Sequence, residues 1–271
     1  MTELKRRPRH GLWAAMRRLQ PVSASWVETL LFLAAQHWPA ARGWPFRFRR
    51  AGRPFWVRPA DAAALEDVLL NHEYDFVVEV VRRPGPAPVI IDAGANIGLF
   101  SRMILDARPD AHVHSLEPGA PAYRVLQRNW AARRPAAWQL HPLALWQTAG
   151  PIQFSNRAAS TSSRVAALGS QEGLATVPAV TLPGFWEQHV RGPVTLLKLD
   201  IEGAEEVVLS QGEGVLAQIE HLVVEIHPPA ADTERMEALL RRHFVHLERL
   251  GGRASSKPLI WARRTERAAA E

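Results

Sequence analysis

From about residue 61 the chain alternates short apolar or β-branched runs with stretches whose apolar residues recur at helical spacing. That rhythm predicts parallel strands joined by crossover helices, an α/β fold. Strands are expected at 88–92, 112–117, 138–143, 194–200 and 222–227, with helices near 97–107, 120–133, 204–211 and 232–242. Gly251–Gly252 and Ser255–Ser256, rather than a helix, separate a final pair of strands near 244–248 and 258–262. The sheet is therefore expected to be mixed and to end in an antiparallel hairpin with one reversed edge. Residues 156–175, rich in Ser, Ala and Gly, read as a mobile loop of the kind that covers sites.

Before residue 61 the pattern differs. Leu12, Met16 and Leu19 share one helical face beside Arg17 and Arg18, which predicts a basic amphipathic helix. Two regions follow: a basic, mainly helical extension over residues 1–60 and an α/β domain over residues 61–271. A signal peptide fits poorly, because Arg17 and Arg18 interrupt the first apolar stretch and the second, residues 29–35, is short. No segment reaches the roughly 18 apolar residues that span a bilayer. The expected location is the cytoplasm, either free or peripheral to a membrane.

Composition narrows the classes. The chain has 271 residues, 47% of them hydrophobic, enough for a large core, and no cysteine. Disulfides, Cys-ligated metals and a thiolate nucleophile are excluded. The formal net charge of +6 is unevenly placed. Residues 1–60 carry 12 Lys and Arg against 2 acids, plus five of the ten tryptophans, so the remainder is net acidic. The extension reads as a cap with a solvated arginine face, or as a contact for an anionic surface. The acidic remainder argues against a nucleic-acid partner.

Residues 89–100, VIIDAGANIGLF, run from an apolar strand through Gly94, Ala95, Asn96 and Gly98 into a helix. Such a turn brings backbone N–H groups close to a ligand, and Glu117, ending the next strand, can accept both hydroxyls of a ribose. Together they describe a nucleoside cofactor site. Asp92, two residues before the first glycine, would repel a pyrophosphate and attract a sulfonium and an ammonium. S-adenosylmethionine is thus expected over NAD.

Central parallel strands are normally continuously apolar, yet two of these end in charge. In TLLKLDIEGAE, Lys198, Asp200 and Glu202 share one parity, as do Glu225 and His227 in VVEIHP. Ligands of open α/β sheets bind beyond these strand ends, so Asp200 and His227 are candidate acid–base groups, with Lys198 and Glu202 positioning them. Lys198 paired with Glu225 or Asp200 is the purely structural alternative, and Glu205 and Glu206 fit a helix's first turn. His112 and His114 read as surface residues. The spacing of these acids and His227 matches no strong metal signature, and no metal is expected.

VIIDAGANIGLFS, SLEP at 115–118, LKLDIEGAE at 197–205 and VVEIHP at 223–228, in this order, resemble the FkbM family of S-adenosylmethionine-dependent methyltransferases. The resemblance spans roughly residues 65–262 and leaves residues 1–60 outside it. It implies a class I methyltransferase (Rossmann-like) fold, a seven-stranded, mostly parallel sheet with its last strand antiparallel. It also implies methyl transfer, commonly to a hydroxyl on a sugar, glycan or secondary metabolite. By motif position Asp92, Gly94, Asn96 and Gly98 would cradle the methionine part, Glu117 the ribose, and Ala144 and Leu145 the adenine. The competing readings are an NAD-dependent oxidoreductase and a non-catalytic adaptor docking to membrane or nucleic acid through its basic segment.

Overall fold

The computed structural model describes residues 11–133, 137–155, 174–190, 192–227, 232–250 and 257–264. Two helices come first, α1 (Leu12–Leu19) and α2 (Trp26–Ala35). Ser25 caps α2, its hydroxyl accepting the Glu28 N–H. A hairpin follows, β1 (Phe46–Arg50) and β2 (Arg53–Val57), turning through Ala51 and Gly52 at φ 48° and 74°. Two successive positive φ values match the turn that strand twist favours in a two-residue hairpin. In β1 the alternation is Phe48 inward against Arg47 and Arg49 outward, so arginines carry the strand period. The extension therefore holds a hairpin beside its helices.

A short helix, α3 (Ala62–Leu65), a π-helical turn at Glu66–Leu70 and α4 (Asp75–Val81) lead into the main sheet. Its elements are β3 (Val89–Ala93), α5 (Leu99–Ala107), β4 (His112–Leu116), α6 (Ala120–Ala131) and β5 (Trp138–His141). A small side sheet follows, made of β6 (Ala144–Leu145), β7 (Gly150–Ser155) and β8 (Leu174–Val180). The chain then returns through α7 (Leu182–Phe185), β9 (Val194–Leu199), α8 (Glu205–Gln211), α9 (Glu213–Leu216) and β10 (Ile219–Glu225). It closes with α10 (Thr233–His243), β11 (His246–Leu250) and β12 (Leu259–Arg263).

The main sheet has seven strands in the order β11-β12-β10-β9-β3-β4-β5. Its strands pair in parallel except β12, which is antiparallel to both β10 and β11. The last strand is antiparallel, as expected, but it is inserted between β10 and β11 and does not form the edge. This is the class I methyltransferase order. Strand β3 lies at the centre and alternates its burial, Ile90 into a core shared with α5 and α6, Ile91 into one shared with α8 and α10. Helices thus cover both faces, and the strand ends between them form the place where a ligand can enter.

The extension contributes to the first of these cores. Leu19, Val22, Phe32, Phe48, Phe55 and Val57 pack in the same cluster as Ile90, Ile97 and Leu126. Asn129 on α6 exchanges hydrogen bonds with both the N–H and the C=O of Trp56, and the buried Arg102 donates to the carbonyls of Pro54 and Arg50. His114 is buried, contrary to the surface reading. Strand β4 is an interior strand, and the ring packs on His141 and edge-on to Phe185. Most of the expected loop, residues 156–173, lies outside the described residues; Leu174 and Ala175 begin β8.

Candidate functional site

The carboxyl ends of β3, β4, β9 and β10 border one cavity. Of the residues singled out in the sequence, Gly94, Ala95, Asn96, Glu117, Ala144 and Leu145 line it. So do Lys198, Asp200 and Glu202. Asp92, Gly98 and His227 do not border it; each stands behind a residue that does.

The turn after β3 is built for close approach. Gly94, Asn96 and Gly98 all adopt positive φ, 75°, 51° and 82°. Asn is one of the few side-chain-bearing residues that visits this region readily. At Gly98 an added Cβ would meet Leu126 at 2.5 Å and Trp138 at 3.1 Å, so close packing against α6 and β5 adds to the positive φ in favouring glycine there. Glu117 closes the turn from the neighbouring strand. Its Oε2 accepts the Asn96 N–H at 2.9 Å and its Oε1 the Gly119 N–H at 2.7 Å. Burial raises its pKa to about 7, and those two N–H groups oppose the rise. Each carboxylate oxygen retains a further lone pair for a ribose hydroxyl. The Asn96 Oδ1 is buried with no hydrogen-bond partner among the described residues, an acceptor available to a cofactor's ammonium.

Asp92 is fully buried beneath this turn. Ser101 Oγ donates to its Oδ2 at 2.6 Å, and Lys198 Nζ lies 3.4 Å from its Oδ1. Lys198 also stands 3.5 Å from Asp200 Oδ2 and 3.5 Å from the Gly94 carbonyl oxygen. Its sequence-predicted partner was Glu225 or Asp200; the structure gives it Asp200 and Asp92. Burial lowers its pKa, but the charges of Asp200, Asp92 and Glu225 outweigh burial and hold it above the ordinary lysine value. Asp92 thus acts on the cavity through Lys198 and does not face a ligand itself.

The loop after β9 carries unusual backbone. Glu202 has φ 56° and Gly203 φ 105°. Glu205, fully buried at the start of α8, holds this loop by accepting the N–H groups of Ile201 and Gly203 at 3.1 Å. Its Oε1 also meets His227 Nδ1 at 2.9 Å. Sequence reasoning treated Glu205 as a helix-dipole residue and missed this clamp; the acid's place three residues after Glu202 was the available signal. Glu206 accepts the Asp232 N–H from α8 to the start of α10, a structural contact. Around His227, Nε2 lies 3.7 Å from Asp200 and 3.4 Å from Glu202. Burial lowers the imidazole pKa, while Glu205, Asp200 and Glu202 raise it by more.

Further lining residues include some from elements with no motif. Tyr74, almost fully buried and edge-on to Phe100, and Glu73 enter from the segment before α4; Glu225 and Lys257 close the far side. Lys257 Nζ lies 3.7 Å from Glu225 and 3.8 Å from Glu202. Carboxylates outnumber ammonium groups on this wall, so it suits a cationic ligand.

The family model of the methyltransferase FkbM domain matches residues 92–247, from the glycine turn into β11. The chain belongs to the FkbM methyltransferase family. Members of this family use S-adenosylmethionine as methyl donor, and the cavity-facing carboxylate of Glu117 and the orphan Asn96 Oδ1 offer acceptors that fit that group. Among relatives, the 31-O-demethyl-FK506 methyltransferase FkbM of Streptomyces tacrolimicus is 27% identical over 189 residues, 58% of this chain and 72% of that protein. The AMB antimetabolite synthetase AmbE of Pseudomonas aeruginosa is 26% identical over 215 residues, which are 62% of this chain but only 10% of AmbE. A solved S-adenosylmethionine-dependent methyltransferase from Agrobacterium tumefaciens is 10% identical, with a TM-score of 0.48, covering 82% of this chain and 70% of that one. The fold assignment itself stands on the strand order.

Proposed function

We propose that this FkbM-family methyltransferase transfers a methyl group to a hydroxyl oxygen of a small sugar, glycan or secondary metabolite. The observation that carries the reading is one cavity lined both by Glu117 with residues 94–97 and by Asp200 with Glu202. When bound, S-adenosylmethionine supplies a sulfonium methyl carbon open to in-line attack by the acceptor oxygen, the carbon–sulfur electron pair leaving on sulfur. Glu117 and Asn96 hold the nucleoside and amino-acid ends, and the apolar Ala144 and Leu145 pack on the adenine. An alcohol attacks poorly until it loses its proton. Of the two candidate bases, Asp200 borders the cavity and His227 lies behind it, so Asp200 accepts the proton. Lys198 fixes Asp200 through its Oδ2, leaving Oδ1 available. Alignment of donor and acceptor contributes much of the acceleration.

The acidic wall disfavours a polyanionic acceptor, which supports a small neutral hydroxyl compound over nucleic acid. A screen of hydroxylated acceptors with labelled methyl donor tests the reading. Transfer by the wild-type chain and its loss in Asp200→Asn, with cofactor affinity retained, is the expected result. Normal turnover in Asp200→Asn would refute the role of Asp200.

The extension supports a second reading, peripheral docking to an anionic bilayer. Helix α2 buries Thr29, Phe32 and Ala35 but exposes Val27, Leu31 and Ala34 on another face, a second apolar stripe at helical spacing. Trp13, Trp26, Trp38 and Trp44 are each more than half exposed, and Arg17, Arg42 and Arg49 are exposed nearby in sequence. Tryptophan with arginine is the composition of a membrane interface. No helix among the described residues is long and apolar enough to cross a membrane.

A further inference from the structure

The wall formed by the ends of β9 and β10 holds an arrangement that a proton acceptor alone does not require. Asp200, Glu202 and His227 each offer one ligand-type atom, and the three atoms lie within 4.8 Å of one another. His227 Nε2 is 3.7 Å from Asp200 Oδ1 and 3.4 Å from Glu202 Oε2. His227 is only 7% exposed, and this Nε2 is buried with no hydrogen-bond partner among the described residues. Its other nitrogen is taken, because Nδ1 lies 2.9 Å from the fully buried Glu205, itself fixed by two backbone N–H groups. A proton on Nδ1, donated to Glu205, leaves the Nε2 lone pair facing the carboxylates of Asp200 and Glu202, with Glu225 Oε1 also 3.7 Å away.

The carboxylates divide their oxygens in a matching way. Asp200 turns Oδ2 to Lys198 at 3.5 Å and Oδ1 to the imidazole, while Glu202 turns Oε1 to Lys257 at 3.8 Å and Oε2 to the imidazole. A protonated imidazole would also neutralise these acids. It would, however, leave its N–H 3.4–3.7 Å from them, longer than a good charge-assisted hydrogen bond of about 2.8 Å. Neighbouring ligands of an octahedral ion with bonds near 2.1 Å stand about 3 Å apart, so the imidazole and either carboxylate need approach by under about 1 Å to share a cation.

The geometry points to a divalent cation site formed by Asp200, Glu202 and His227, with Glu205 as the positioning residue that sets the imidazole's tautomer. Two carboxylate oxygens and one imidazole suit a hard to borderline ion such as Mg²⁺ or Mn²⁺. A carboxylate behind a metal-bound histidine is the common supporting contact in such sites. The sequence carried no metal signature because Asp200 and Glu202 come from one strand end and His227 from the next. This inference deepens the methyl-transfer reading and rests on it: Asp200 and Glu202 border the cavity, so an ion there would polarise the acceptor hydroxyl and ease loss of its proton, with Asp200 serving as a ligand in place of a free base.

The test is a Mn²⁺ titration of the full chain followed by electron paramagnetic resonance, with and without S-adenosylhomocysteine. The site predicts one tightly held ion whose pulsed spectrum shows directly coupled imidazole nitrogen. It also predicts at least tenfold weaker binding in His227→Gln and Asp200→Asn, and about 10–100-fold weaker binding in Glu205→Gln. Because the nitrogen coupling is read on wild-type protein, the test survives variants that fail to fold. No retained Mn²⁺ in protein that binds S-adenosylhomocysteine overturns the cation site and spares the methyltransferase. Retained Mn²⁺ without nitrogen coupling overturns it equally. Nitrogen-coupled Mn²⁺ with no affinity for S-adenosylhomocysteine supports the cation site and removes the cavity's assignment to the methyl donor.

Discussion

The carbonyl oxygen of Asp200 occupies the space beside Gly94 where a side chain would begin: a Cβ at position 94 would lie 1.7 Å from it. The glycine that opens the cofactor turn and the aspartate that ends β9 are thus in backbone contact, and Asp200 N–H bonds the Ala93 carbonyl at 3.1 Å. The glycine turn and the Asp200 strand end, proposed as donor and acceptor sides of the site, are fixed to each other by this junction. Gly94→Ala combines a backbone clash with a strained φ of 75°. It is expected to lose about 3–5 kcal/mol of stability in urea denaturation. A loss under about 1 kcal/mol would show that the junction is looser than described.

Glu117 titrates where cofactor binding can sense it. Its pKa, raised by burial to about 7, lies above that of an unfolded glutamate, so folding favours its protonated form. The stability associated with this group is full at acid pH and declines as pH rises through about 7. Under the proposed ribose role, cofactor affinity is expected to run the other way, since ribose hydroxyls would donate to the carboxylate. Titrations of S-adenosylhomocysteine between about pH 6 and 8 should show tighter binding at the higher pH, and Glu117→Gln should flatten the profile. A wild-type profile that is flat or reversed would remove the ribose role.

Glu205 serves geometry, not the ligand. Glu205→Gln replaces one acceptor oxygen by an N–H₂ facing the Ile201 and Gly203 N–H groups or the His227 ring. The expected outcome is a stability loss of about 1–3 kcal/mol and at least tenfold slower turnover, with S-adenosylhomocysteine affinity within about threefold of wild type. A variant that loses cofactor affinity while keeping turnover at saturation would contradict this division.

The exposed tryptophans give a separate expectation. Vesicles containing anionic lipid should retain the chain in sedimentation, neutral vesicles much less, and added salt should release it. Replacing Trp13 and Trp38 by alanine together should weaken retention several-fold. Equal behaviour on both vesicle types, or none on either, would leave the arginines and tryptophans as a solvated cap.

The central strands and the acid-tipped β9 and β10 were legible because they combine apolar runs with sharply placed charge. So was the antiparallel last strand, from the glycine turn before it. Its insertion between β10 and β11 was not, because pairing order depends on contacts distant in sequence. Strands β7 and β8 were hidden by proline, Pro151 and Pro178 facing each other in register where strand propensity is lowest. The site's charged residues were readable from strand parity, but depth was not. Parity puts Asp92 and His227 at the correct sheet edge, whereas only packing shows that Lys198 screens one and Asp200 and Glu202 the other. Glu73 and Tyr74 carry no pattern at all, since their place comes from how the segment before α4 folds over the sheet edge.

The most direct test of the account is calorimetric titration of the full chain with S-adenosylhomocysteine and, separately, with NADH, in wild type and in Glu117→Ala. The account predicts that S-adenosylhomocysteine binds wild type, that Glu117→Ala weakens it at least tenfold, and that NADH gives no saturable heat. Saturable binding of NADH with none of S-adenosylhomocysteine, or equal S-adenosylhomocysteine affinity in both proteins, would contradict it.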